Sequence, residues 1–435
     1  MHRQLSLCAI GFLVVGLLTA SSAAADDESA LQAKVNELTE QVAKLSAQQN
    51  SLLSQEVTQY LERNEAWRGA EGGEKTAWDK ITLRARVTIV TQATVGLDPA
   101  NRTVVGGDVD LDFDFAVSEN LDVFVYLTAN TDSEEAFDEA FSGIGGSTAS
   151  GLLDGIGVNG TVSTDPGSIT VREAGIRHRV MAGDTRWNID LGELEPRNIY
   201  GDTELTADEN RAFLNNIFDD SSAVPWASIA GGSTVLGMNV WADFGTDKNI
   251  RFSAGWFNFA GQFFNNGQFF LQVGWKGEVN GRMMNLKVFG FVDSVLEEAF
   301  GFTDAAAGGG LVWDWWVTAK VGVFVKLTAN GSDANPTEFD AALGAVINGL
   351  FGSRPDDQLG IGLAFIALRD GTSFSAGGAF PEDTELTLEV YYRASLEGGK
   401  MHATFGFQVI TDQGGGIGWA DDTLFILQVR LFVPF

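Results

Sequence analysis

Charged and amide side chains fall at every second residue in several stretches of this chain, each time between aliphatic or aromatic neighbours. Arg84 and Arg86 alternate with Leu83, Ala85 and Val87; Asp108, Asp110, Asp112 and Asp114 alternate with Val109, Leu111, Phe113 and Phe115. Glu389, Tyr391 and Arg393 interleave with Leu388, Val390 and Tyr392, and Gln408 and Arg430 are placed in the same way. Arg172, Arg197, Trp187 and Trp241 complete the candidate set. Such groups suit binding rather than bond-making. Charged and amide groups hydrogen-bond the polar atoms of a solute, and aromatic rings offer a surface to its apolar faces. Facing rows of Arg and Glu would also set up a transverse field that orders water and penalises apolar solutes.

Each residue has a plainer alternative. A lumen arginine can serve as the ion-pair partner of a neighbouring carboxylate, and Trp241 can sit at a membrane interface, where tryptophan is enriched. The Asp108 to Asp114 row could attract cations, but it lacks the glycine that a calcium loop needs at its sixth place. It is read as a solvated wall.

Catalysis finds little support. Behind residue 25 the histidines are His178 and His402, and Ser253, Ser373 and Ser375 lie in ordinary strand or turn contexts rather than in a glycine elbow. There is no His-Glu-x-x-His and no phosphate-binding glycine loop, and the single cysteine, Cys8, lies in the apolar leader. Neither a metal nor another cofactor is expected. The formal charge of −30 becomes −31 when Arg3 is removed with that leader, which argues against nucleic acid as a partner.

The elements that must carry these residues are strands. From Lys80 onward the apolar period is two, as in Ile81 to Ile89, Leu236 to Phe244, Val317 to Leu327, Leu386 to Tyr392 and Met401 to Val409. The last stretch, Leu424 to Phe435, sets Phe425, Leu427, Val429, Leu431, Val433 and Phe435 on one face. On a soluble edge strand that face would be an aggregation hazard; on the wall of a membrane barrel it meets lipid. No apolar run behind the leader is long enough for a spanning helix, so a membrane reading requires a closed barrel. Residues 80–435 suffice for about sixteen strands of roughly ten residues with their turns and loops, and a barrel of that size encloses water. The fold class expected is all-β, a transmembrane antiparallel barrel preceded by a short coiled-coil helix.

Residues 1–25 read as a signal peptide: Arg3, an apolar run from Leu5 to Ala20, then small residues to Ala25. Over 28–65 the seam Leu31, Val35, Leu38, Val42, Leu45, Leu52 calls for partner helices, with polar Gln49 in one seam position; the alternative is an amphipathic helix packed on its own barrel. Valine followed by leucine fits dimers and does not exclude trimers. Residues 66–79 read as a linker. Two segments, Asn130 to Ser168 and Glu195 to Pro225, are too long for tight turns, and the expected use is to fold inward and narrow the pore.

Specific runs resemble a family. Asn188-Ile189-Asp190-Leu191-Gly192-Glu193-Leu194, Tyr200 and Glu209-Asn210-Arg211-Ala212-Phe213-Leu214-Asn215-Asn216 are similar to the carbohydrate-selective porins of Gram-negative and cyanobacterial outer membranes. So are Leu388 to Arg393, Phe407-Gln408-Val409-Ile410 and the closing Val429-Arg430-Leu431. Thr411-Asp412-Gln413-Gly414 departs from the proline common there. The resemblance implies an outer-membrane channel for passive diffusion of small hydrophilic solutes, sugars foremost. The seam over 28–65 is read as a periplasmic stalk that joins copies into a homo-oligomer, a trimer favoured, through the coiled coil and the barrel wall, with membrane lipids around the barrel; certain members of the family also carry a coiled coil before theirs. The competing expectations are a general, mildly cation-preferring pore and a structural tether that uses the helix. The mixture of Arg and Glu also suits dicarboxylates or amino acids.

Overall fold

The computed structural model describes residues 80–95, 103–130, 169–183, 185–206, 211–219, 221, 223–224, 235–245, 248–258, 267–293, 306–331, 337–368, 384–411 and 423–435. The expected leader, coiled coil and linker, and nearly all of the Asn130 to Ser168 segment, lie outside them.

Sixteen antiparallel strands close into one barrel. The first five are β1 (Ile81–Val95), β2 (Thr103–Ser118), β3 (Leu121–Asn130), β4 (Ile169–Ala182) and β5 (Thr185–Leu194). The next six are β6 (Val235–Phe244), β7 (Ile250–Asn258), β8 (Gln268–Val279), β9 (Arg282–Asp293), β10 (Ala306–Trp316) and β11 (Val321–Asn330). The last five are β12 (Thr337–Asn348), β13 (Gln358–Leu368), β14 (Thr384–Leu396), β15 (Met401–Thr411) and β16 (Leu424–Pro434). Each strand pairs with its sequence neighbours, and β1 pairs with β16 through Val87–Val433 and Ile89–Leu431. Closure removes every free strand edge, which is the condition for crossing lipid with strands.

Alternation decides the two faces. Leu83, Val273, Val288, Leu343, Phe405 and Leu427 point outward and are exposed. In water such a surface would be an association hazard, whereas in a bilayer it is the solvated face. Short turns join the strands at one rim. One of them is Asn280-Gly281 between β8 and β9, where both residues have positive φ (54° and 69°), the geometry of a two-residue hairpin loop. At the other rim, the connection between β5 and β6 runs inward over its described residues.

Candidate functional site

The segment that begins at Glu195 turns into the barrel. Pro196–Asn198 form a 3-10 turn and Asn216–Asp219 a short helix, α1. Tyr200, Phe213, Leu214, Ile217 and Phe218 of the segment are at most 1% exposed. Phe213 packs on Phe218, Tyr391 and Phe324, at ring-centre distances of 4.6, 5.0 and 5.6 Å. Tyr200 stacks on Phe270 at 4.9 Å and meets Phe257 edge-on at 6.0 Å. Glycine makes the seat for these rings, since a Cβ at Gly362 would lie 2.5 Å from Phe218 and 2.8 Å from Phe213. Two hydrophobic cores inside the pore therefore hold the segment against the wall.

Polar anchors complete the hold. Glu389 on β14 accepts the backbone N–H groups of Leu214 and Asn215 at 2.9 and 2.8 Å, and the Gln428 amide at 2.6 Å. Gln408 receives the Asn215 amide at 3.1 Å. Arg430 donates to the Ala212 carbonyl at 2.7 Å and Arg393 to that of Arg211 at 2.9 Å. Farther round, Asp340 takes the Ala223 N–H and the Ser221 hydroxyl, Asp314 takes the Glu204 N–H, and the Gln272 side-chain carbonyl takes the Gly201 N–H. A buried backbone without such partners would lose the desolvation free energy of each group. Glu389, Gln408 and Arg430, expected to face water in the pore, lie on the lumen face but are 0, 0 and 1% exposed. They sit beneath the segment with Tyr391, whose hydroxyl donates to Gln358 at 2.6 Å. Arg197 is ion-paired to Glu195 within the segment itself.

A second group of lumen-face charges lies on β1 to β5. There Arg84 lies 2.8 Å from Asp114 and 3.7 Å from Asp112, and Arg86 lies 3.3 and 3.4 Å from Asp110 and Asp112. Arg172 reaches Asp110 at 3.6 Å and Asp112 at 3.8 Å. It does so from an extra residue in β4, where the register passes from Glu173 opposite Tyr126 to Val171 opposite Leu127. A bulge re-aims a side chain in this way. Arg177 meets Asp190 at 2.6 Å, Arg179 meets Asp122, and the Tyr126 hydroxyl donates to Asp114 at 3.1 Å. Asp110, Asp112 and Asp114 are thus ion-paired, with Asp110 and Asp112 only 2 and 7% exposed, rather than the solvated wall expected.

Trp241 lies on the lumen face of β6. Its indole N–H donates to Asp190 at 3.2 Å, and the Arg251 guanidinium lies 4.4 Å over its ring. Trp187 does not line the pore. It shares the outward parity of Ile189 and exposed Leu191, opposite to buried Asn188 and Asp190, and packs edge-on to Phe244 near the short-turn rim. That is the position of an interfacial aromatic belt, where an indole sits at headgroup level. The sequence singled out neither Arg177, Arg179 and Asp190 nor Tyr126 as a site, although their parity with Trp241 and the aspartate row carries the signal. Lumen-face Asn239 accepts the Tyr200 hydroxyl at 2.8 Å and was also missed.

A closed barrel of sixteen strands, apolar outside and charged inside, has the architecture of a membrane β-barrel large enough to enclose a channel. The model of the carbohydrate-selective porin, OprB family, matches residues 311–431, from β10 into β16, and bears out the resemblance read from the sequence. Among solved structures, the high-pH form of Pseudomonas putida OprB is similar at 14% identity and TM-score 0.66, over 82% of this chain and 94% of that one. The low-pH form of the same protein aligns at 13% identity and TM-score 0.49, over 82% of this chain and 93% of that one. No curated protein matches the chain.

Proposed function

We propose that this chain is an outer-membrane porin for passive diffusion of small hydrophilic solutes, carbohydrates foremost, through the gap between the inward segment and the β1 to β5 wall. One observation carries this reading. On a chain of net charge −30, that wall pairs five arginines with five aspartates. The wall offers many fixed donors and acceptors, which suits polyhydroxylated solutes. A general cation-preferring pore is the second reading, favoured by Glu173, a sixth carboxylate on the same strands beside the five that those arginines pair. Arg84, Arg86 and Arg172, with Trp241, are the wall groups that face the solute, while Glu389, Tyr391, Arg393, Gln408 and Arg430 hold the constriction in place.

The chain acts as a channel, not an enzyme. His178 lies outward on β4 with Ile176 and Val180, whereas His402 lies inward, stacked on Phe432 at 6.0 Å, so the two share no site. The seam over residues 28–65 supports a periplasmic helix that joins copies into an oligomer, a trimer foremost, with the apolar barrel wall against lipid and partner barrels. Proteoliposome swelling tests the transport reading. Swelling in isosmotic glucose or maltose should outpace swelling in an uncharged non-sugar polyol of equal size. Equal rates would leave a size-selective pore without preference for sugars.

A further inference from the structure

On the short-turn side of the inward segment lies a cavity of about 370 Å³, at the lower end of the size range of small-ligand sites. Its lining contains five cationic side chains and four carboxylates. Three carboxylates are already matched: Asp190 by Arg177 at 2.6 Å, Asp243 by Arg251 at 2.7 Å and Glu204 by Lys276 at 3.0 Å. The remaining two ammonium groups are differently placed. Lys287 donates to the backbone carbonyl of Asp202 at 2.6 Å rather than to a carboxylate. Lys248 is exposed in the turn between β6 and β7 and forms no side-chain hydrogen bond or ion pair among the described residues. The fourth carboxylate, Asp202, is pushed up to about 7, first by burial and then by the carboxylates of Asp314 and Glu204, against the opposing pull of Lys287. On a strongly acidic chain, this cavity carries a cationic surplus.

The other walls suit a sugar. Asn249, Ser253 and Gln272 bring hydrogen-bonding groups, and the Trp241–Arg251 stack presents a flat surface. We propose that this cavity is a binding station for hexose-sized ligands that carry one carboxylate, with Lys248 as the group that receives the acid. The inference rests on the channel reading above and deepens it: the porin passes acidic as well as neutral sugars, and the acidic ones pause here. An exposed ion pair is worth up to about 1 kcal/mol, so the preference is modest, about threefold to fivefold. That fits a station that must release what it holds.

The probes are glucose, glucuronate and acetate, titrated against single-channel current of the full barrel at about 0.1 M salt, where screening is incomplete. Glucuronate should block at a concentration about threefold to fivefold below that of glucose, and acetate, which lacks the hydroxyls, should not block in that range. Lys248 has φ of 51°, a conformation asparagine tolerates, so Lys248→Asn removes the charge without a new backbone strain. In K248N the preference should vanish, and in K248R it should persist. Equal block by glucose and glucuronate, block by acetate at the same concentration, or an undiminished preference in K248N would overturn this inference while leaving the sugar channel standing. Open-channel current that neither sugar reduces would overturn the sugar channel as well.

Discussion

Phe213→Ala should widen the pore without unfolding the barrel. The ring is wholly buried and contacts Phe218, Phe324 and Tyr391, and no strand depends on it. Truncating a buried phenylalanine costs about 3–5 kcal/mol, and here the cost falls on the seating of the inward segment. The ratio of displaced to seated segment then rises by about two to nearly four powers of ten. Single-channel recording should show higher or noisier conductance and a lost preference for sugars. The melting temperature of the barrel in detergent should stay close to that of the parent, because sixteen strand pairs remain intact. Parent-like conductance and parent-like sugar block in a folded F213A protein would refute the claim that this core holds the constriction.

Glu389→Ala strips the acceptor from two backbone N–H groups and the Gln428 amide, and conductance should rise as in F213A, with Glu389→Gln intermediate because it keeps one acceptor oxygen. Arg86→Gln leaves Asp110 and Asp112 less compensated on the β1 to β5 wall. The reversal potential in a salt gradient should move towards cations, and Asp112→Asn should move it the other way, each by about twofold to fivefold in permeability ratio at low salt. Asp202 supplies a pH dependence. Its carboxyl is raised to about 7 in the seated segment against an ordinary value near 4, so the seated form binds the extra proton between those limits. Seating should therefore strengthen as pH falls from 8 through 7 towards 5 and weaken as pH rises, read as single-channel current noise. Asp202→Asn should flatten that profile.

The barrel was legible in the sequence because a period of two, once one face is apolar, fixes which side chains meet lipid and which meet the lumen. Strand number followed from length, and the inward fold of the Glu195 to Pro225 segment from its excess over a turn. Parity could not reveal what lies on top of the lumen face. Glu389 and Arg86 look alike in an alternating strand, but the segment covers one and not the other, and that depends on contacts some 175 residues apart, as between Leu214 and Glu389. The cross-strand register that sets Arg84 opposite Asp112 and Arg86 opposite Asp110 also depends on a connection whose length no local rule gives. Trp187 is a different matter. Its shared parity with Ile189 and Leu191 marks it as outward, and its aromatic character alone suggested the pore.

The central claim is tested most directly by one titration: glucose against single-channel current of the barrel in a planar bilayer, with an uncharged polyether of similar size as control. The account predicts saturable block by the sugar and none by the polyether, with the block weakened in Arg86→Gln. Steady conductance that neither solute blocks would contradict it and make the chain a general pore.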